Sequence, residues 1–268
     1  MSAADRTLRG LVFAERPGFR PLELDLHRPE ADGAPVVLFL HGGGWRLGSR
    51  RVMVPHALPD GFARLTAAGL AVVSADYRLS GEARFPAQLD DVRDALAWVA
   101  ASGAEHGVDP SRIVLWGESA GATLALLVGL GAPEGVRGIV DWYGPTDLLA
   151  MAGHTGVDGI ADVRETGWLG VPAPQDPERA RAASPLSRVQ EGAPPVLVAH
   201  GEDDDAVPIA QSLALVDALA SLGADVELRR VPGAGHLWRA AADPGAELDA
   251  AIAFARRVTA GGGDDRHR

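Results

Sequence analysis

The chain contains no cysteine among its 268 residues. Disulfides and thiolate-ligated metal sites are therefore excluded. Positive charge is scarce as well: 25 Lys and Arg stand against 36 Asp and Glu, for a formal net charge of −11. A global basic footprint is absent, so no nucleic-acid partner is expected, and the acidic surface mainly favours solubility. No apolar run approaches the ~20 residues that a membrane-spanning helix needs, so no membrane partner is expected. At the start of the chain, Arg6 and Arg9 precede only a short apolar stretch that Glu15 and Arg16 interrupt. That is not the pattern of a secretory leader, and a cytoplasmic location is the default expectation. Two phosphate-cradling patterns, the Walker lysine motif and G-x-G-x-x-G, are missing too, and there is no internal repeat.

What is present is the composition of a soluble globular protein, 47% hydrophobic and 23% charged. Short apolar runs at 35–41, 70–77, 112–117, 138–144, 195–201 and 225–231 read as strands. Several are almost continuously apolar, which suits strands buried on both faces of a parallel sheet. Ahead of them, "FRPLELDLHRP" alternates apolar and polar residues, as antiparallel edge strands do. Between the runs lie amphipathic helices. Leu89, Val92, Leu96 and Val99 share one face, with Asp90, Asp91, Arg93 and Asp94 mostly elsewhere. Pro208 opens a second helix with Leu215, Val216, Leu219 and Leu222 inward, stopped at Gly223. Leu248, Ile252, Ala255 and Val258 mark a last one. The expectation is one α/β domain over 1–268 with a mostly parallel central sheet flanked by helices. Residues 148–192, rich in Gly, Pro and Ala, read as an insertion over the active site with one or two short helices. Residues 261–268 read as a disordered tail.

The chemistry concentrates in four segments. Gly117-Glu118-Ser119-Ala120-Gly121 has the form G-x-S-x-G, between a predicted strand and a predicted helix. In that context the serine is a candidate nucleophile on a sharp turn, with glycines where β-carbons would clash. Such a serine needs a base, and the base needs an orienting acid. Of the eight histidines, His236 stands out because it lies just after the last strand-like run and before the last helix. The acid falls in "HGEDDDAVP", where spacing alone leaves Asp203, Asp204 and Asp205 close competitors. The run "LHGGGW" supplies three glycines whose N–H groups can hold an oxyanion, joined by the amide of Ala120. Trp45, Trp142, Tyr143, Trp168, Leu237 and Trp238 adjoin these loops and are candidates for an apolar pocket suited to a short acyl chain or an aryl group. Arg46, Arg50 and Arg51 follow the glycine run and read as a solvated face, with an acidic group to meet them as the alternative.

Together "HGGGW", "ADYRLS…FPAQLDD", "GVDPSRIVLWGESAGA", "YGPTDL", "ASPL", "PPVLVAHGEDDDAVP" and "GAGHLW" make residues 20–258 resemble the α/β-hydrolase esterases. The likeness is to the hormone-sensitive-lipase-like group and the BD-FAE-type bacterial carboxylesterases. The resemblance implies Ser119 as nucleophile, His236 as base, Asp204 as acid, and Gly43, Gly44 and Ala120 as oxyanion donors. It implies hydrolysis of a small-molecule ester with no metal and no cofactor. An amidase such as an arylformamidase, or an oligopeptidase-like hydrolase, uses the same machinery; a ligand receptor on this fold generally lacks a triad member. The early position of His41 departs from the lipase-like pattern, whose cap comes from a long N-terminal segment. The smaller BD-FAE-like architecture fits better, with 148–192 covering the site.

Overall fold

The computed structural model describes residues 6–260 apart from 55, 153 and 155–160, with backbone alone at 161–163. The predicted tail, 261–268, lies outside the described residues, as does part of the predicted insertion. Eight strands form one sheet: β1 (Thr7–Ala14), β2 (Leu22–His27), β3 (Ala34–Leu40), β4 (Ala71–Ala75), β5 (Val108–Glu118), β6 (Val136–Trp142), β7 (Val196–Gly201) and β8 (Val226–Val231). Their order is β1-β2-β4-β3-β5-β6-β7-β8. Pairs from β4 through β8 are parallel, while β2 runs antiparallel to both β1 and β4. The helices are α1 (Gly61–Ala67), α2 (Ala87–Ser102), α3 (Ala120–Gly129), α4 (Leu148–Met151), α5 (Ala161–Leu169), α6 (Pro177–Ala182), α7 (Ala210–Ser221) and α8 (Pro244–Thr259).

The continuous apolar runs are explained by covering on both faces. In β3, Val36, Leu38 and Leu40 point into one core and Val37 and Phe39 into the other, the two-residue alternation of a strand. Residues of α2, α3 and α7 fill the first core; those of α1 and α8 fill the second. Leu89, Val92, Leu96 and Val99 of α2 are buried as the pattern requires.

Several local expectations need correction. Asp91 of α2 is fully buried, because its carboxylate takes the backbone N–H and the Nε–H of Arg78, each at 2.9 Å. Leu222 is exposed, since α7 ends at Ser221 and Gly223 turns the chain away with φ +72. Arg50 does not lie on a solvated face. It is buried among three carboxylates, donating to Asp25 at 2.8 Å, Asp76 at 2.6 Å and Glu23 at 2.7 Å.

The 148–192 stretch carries α4, α5 and α6 rather than one or two helices. Asp147 caps α4 by accepting from the amides of Leu149 and Ala150. Asp176 caps α6 with Pro177 at the first helical position, both standard helix starts. Trp168 ties α5 down: its ring stacks on Trp45 at 4.1 Å, its indole N–H donates to Gln88, and its carbonyl accepts from Phe85. This places α5 over the loop that leaves β3, at the carboxyl end of the parallel strands.

Candidate active site

Strand β5 delivers Ser119 between its two neighbours, β3 and β6, and α3 begins at the next residue. Ser119 adopts φ 52, ψ −121, a region a non-glycine residue occupies only when its surroundings force it. The flanking glycines show what forces it. A β-carbon on Gly117 would stand 2.2 Å from the Gly121 carbonyl carbon, and one on Gly121 would stand 2.1 Å from the Leu40 carbonyl oxygen. The Ser119 amide donates to Trp142, and its carbonyl accepts from Ala122 and Thr123. The turn is thus locked into both the sheet and the helix, and the side chain sits above α3.

The loops after β7 and β8 meet beside it. A β-carbon on Gly201 would lie 2.2 Å from the Ala234 carbonyl oxygen, and the Asp203 amide donates to that carbonyl at 3.0 Å. This contact brings Asp204 and His236 together. The His236 Nδ1–H donates to Asp204 Oδ2 at 2.7 Å, and Nε2 lies 3.0 Å from Ser119 Oγ, placed to accept its proton. Asp203 and Asp205 are exposed, whereas Asp204 is buried. Its Oδ1 takes the amides of Ala206 and Val207 at 2.9 and 2.8 Å. Burial works to raise the Asp204 pKa, but the hydrogen bonds from His200 and His236, the imidazole charge and the Val207 amide outweigh it and hold the carboxyl well below its ordinary value. Behind the acid, His200 Nε2 faces the Val207 carbonyl at 2.8 Å and must carry the proton, so Nδ1 accepts from Ser212 Oγ at 2.6 Å.

The glycine run forms the third wall. Gly43 and Gly44 have φ +118 and +60, and a β-carbon on Gly43 would stand 2.3 Å from the Leu47 carbonyl oxygen. On Gly44 it would meet the Arg164 side chain of α5 at 2.8 Å. The amides of Gly43, Gly44 and Ala120 donate to no acceptor among the described residues. Tyr77 stacks on His41 at 4.3 Å and donates its hydroxyl to the His41 carbonyl, fixing the start of the loop. The carboxylate of Glu118 accepts from the amides of Gly42 and Val54. Burial pushes the Glu118 pKa up to about 7 against those two hydrogen bonds. Among the described residues no group of three or more His, Asp or Glu side chains is arranged to hold a metal ion.

The six apolar candidates do not form one pocket wall. Trp45 and Trp168 stack on each other in the first core, whereas Trp142, Tyr143 and Trp238 interlock edge-to-face in the second. Each of these five is at most 2% exposed; Leu237 is half-buried. The reason is geometric. Residues at the ends of central strands plug the ends of the two cores, and large aromatics do so with the most buried area. Tyr143 still bears on the site, its ring 4.9 Å from that of His236. Sequence reasoning passed over Glu118 and Tyr77. Only Glu118 carried a signal, as the one charged residue in a long apolar run.

The BD-FAE family model matches residues 24–219. Esterase LipQ of Mycobacterium tuberculosis is 35% identical over 241 residues, covering 84% of this chain and 56% of LipQ. The chain spans about half the length of the curated relatives it matches. Among solved structures, a bifunctional GH43-CE protein of Bacteroides eggerthii is similar with a TM-score of 0.80 at 26% identity, over 95% of this chain and 38% of that one. A thermophilic esterase of Thermogutta terrifontis is similar with a TM-score of 0.73 at 23% identity, over 97% of this chain and 95% of that one. The architecture is the α/β-hydrolase fold. Because the family model runs from β2 into α7, through the glycine loop, the Ser119 turn and Asp204, the chain belongs to the BD-FAE family.

Proposed function

We propose that the protein is a serine carboxylesterase that hydrolyses small esters, short-acyl or aryl, through an acyl-enzyme. One observation carries the reading: the unbroken chain from Asp204 Oδ2 through His236 to Ser119 Oγ, at 2.7 and 3.0 Å. The printed names of the relatives, esterases and carboxylic ester hydrolases, support the same reaction class.

In this mechanism His236 Nε2 takes the Ser119 proton as Oγ attacks the ester carbonyl, and the carbonyl π electrons move onto oxygen. The amides of Gly43, Gly44 and Ala120 hold that oxyanion, and removing one such donor typically costs about 3–4 kcal/mol of transition-state stabilisation. Collapse expels the alcohol, which leaves with the proton from His236. Water then attacks the acyl-enzyme with the same base, and Ser119 is released. Asp204 stays ionised throughout and keeps the Nδ1–H tautomer in place. The small-ester reading is supported by α5, whose Arg164 methylenes lie against the Gly44 turn.

The test is hydrolysis of p-nitrophenyl acetate and butyrate by the protein and by Ser119→Ala across pH 5–9. The expected result is Ser119-dependent turnover that falls on the acid side as the imidazole base takes up a proton. Faster hydrolysis of long-chain esters contradicts the acyl preference. No turnover above the Ser119→Ala background contradicts the esterase reading and points to formamide and anilide substrates.

A further inference from the structure

The 42–54 segment leaves β3, carries the glycine amides, and returns toward α1 at the edge of the second core. Two of its backbone N–H groups, at opposite ends, point to one side chain. Gly42 donates to Glu118 Oε1 and Val54 donates to Oε2, each at 3.2 Å. Glu118 is 4% exposed and is the last residue of β5, the strand paired with β3. No cation is paired with it among the described residues; the two amides are its hydrogen-bond partners. A titratable group so placed is costly to bury in its charged form.

Resting on the esterase reading above, we propose that Glu118 is a positioning residue that clamps both ends of the oxyanion loop and so sets the distance between its amides and Ser119. Two independent features support the clamp. First, Gly42 is in contact with the nucleophile's residue: a β-carbon there would stand 3.3 Å from Ser119 Cβ and 3.1 Å from the Glu118 carbonyl oxygen. Fixing the Gly42 amide therefore fixes the loop against the serine. Second, Val54 is a buried, β-branched residue at φ +37. That conformation persists only where the surroundings hold it, and Glu118 holds its N–H while Ala57 and Leu58 hold its carbonyl. The ionised carboxylate, the form present above a pH of about 7, meets the demand. It offers acceptors on both oxygens, whereas a carboxamide offers one acceptor and one donor.

The test compares wild type, Ser119→Ala and Glu118→Gln on the alkaline side of pH 7, where Glu118 is ionised, with kcat normalised to the folded fraction measured by circular dichroism. Glu118→Gln keeps the volume and loses one of the two amide contacts. The expected result is a kcat about 10- to 100-fold below wild type, as for an ångström-scale misplacement of catalytic groups, with KM within about 3-fold. A purely structural Glu118 lowers the melting temperature but leaves kcat of the folded protein unchanged, and a kcat within about 3-fold of wild type overturns the proposal alone. Wild-type protein without Ser119-dependent turnover overturns the esterase reading and this inference with it. Should Glu118→Gln not fold, amide hydrogen exchange on the wild type decides. Gly42 and Val54 are expected to be strongly protected although neither belongs to a helix or strand, and exchange of either at the unprotected rate overturns the clamp.

Discussion

Replacing Asp204 by Asn tests the site with almost no change of shape, and the structure dictates which way the new amide turns. Asp204 Oδ1 accepts from two backbone amides, Ala206 and Val207, while Oδ2 accepts from His236 Nδ1. Asn has one carbonyl oxygen. Two fixed N–H donors at 2.8 and 2.9 Å outweigh the rotatable His236 ring and the longer 3.5 Å approach of His200 Nε2 to Oδ2, so the oxygen faces Ala206 and Val207 and the NH2 faces His236. An NH2 donor forces Nδ1 to accept, which moves the ring proton to Nε2. Nε2–H then donates toward Ser119 Oγ, 3.0 Å away, and no longer takes its proton. The base is lost through its tautomer although every heavy atom stays in place. For a triad disabled in this way the loss is roughly 10⁴-fold in kcat, or about 5.5 kcal/mol. The assay is p-nitrophenyl butyrate hydrolysis, with Asp203→Asn and Asp205→Asn as exposed controls expected to remain within about 2-fold of wild type. Retention of more than about a tenth of wild-type kcat by Asp204→Asn refutes the reasoning.

Three further outcomes follow from the geometry. Gly121→Ala drives a methyl group to 2.1 Å from the Leu40 carbonyl oxygen in the neighbouring strand, so a loss of about 3 kcal/mol or more is expected, and a melting temperature within about 2 °C of wild type contradicts it. Arg50→Met leaves buried Asp25 and Asp76 without their hydrogen-bonded cation, with only the looser Arg9 at 3.8 Å and Arg20 at 3.6 Å; urea titration is expected to show a loss of about 3 kcal/mol, and an unchanged midpoint argues against it. The native Glu118 carboxyl, raised by burial to about 7 from an ordinary 4.5, keeps its proton where the unfolded chain releases it. Stability from this group therefore falls as pH rises, and wild type is expected to lose on the order of 2 kcal/mol relative to Glu118→Gln between pH 5 and 7. Burial lowers the pKa of His27 and His41, which act in the opposite direction but cancel in this difference; a pH-independent gap excludes the raised pKa.

The central strands were legible because burial on both faces leaves an unbroken apolar run, as in β3 and β4. Strand β1 was faint for the complementary reason: it lies at the sheet edge, half-buried along its length, with no strict alternation and a register shift between Leu8 and Leu11. The Ser119 turn was legible because a backbone crossing this tight excludes β-carbons at fixed offsets. Asp204 could not be separated from Asp203 and Asp205 by spacing, because what distinguishes it is its contact with a loop 32 residues further on. Arg50 was misread for the same reason. Its carboxylate partners lie 25 to 27 residues away, in β2 and just after β4, and a local basic run carries no trace of them. Adjacency to a functional loop did not tell which side of the strand end a ring occupies, and the five aromatics divide between the two cores.

The backbone itself separates the working end of the sheet from the rest. Among the described residues, the non-glycine positions with positive φ are Trp45, Val54, Ser119, Ala132, Tyr143, Leu237, Trp238 and Ala240. All but Ala132 belong to the loops leaving β3, β5, β6 and β8 at their carboxyl ends. Such conformations cost roughly 1–3 kcal/mol each and persist only where packing over-determines them. Burial supplies that packing: Trp45, Val54, Tyr143 and Trp238 are each at most 2% exposed, and a fully buried large side chain stabilises by about 1.5–3 kcal/mol. The aromatic plugs and the strained turns are thus two aspects of one arrangement, in which a ring anchored in the core holds each turn open and leaves the short polar groups between the anchors, Ser119 and His236, facing one another. Shrinking an anchor is therefore expected to disturb Ser119 and His236 through the backbone, a role for the buried aromatics that needs no contact with substrate.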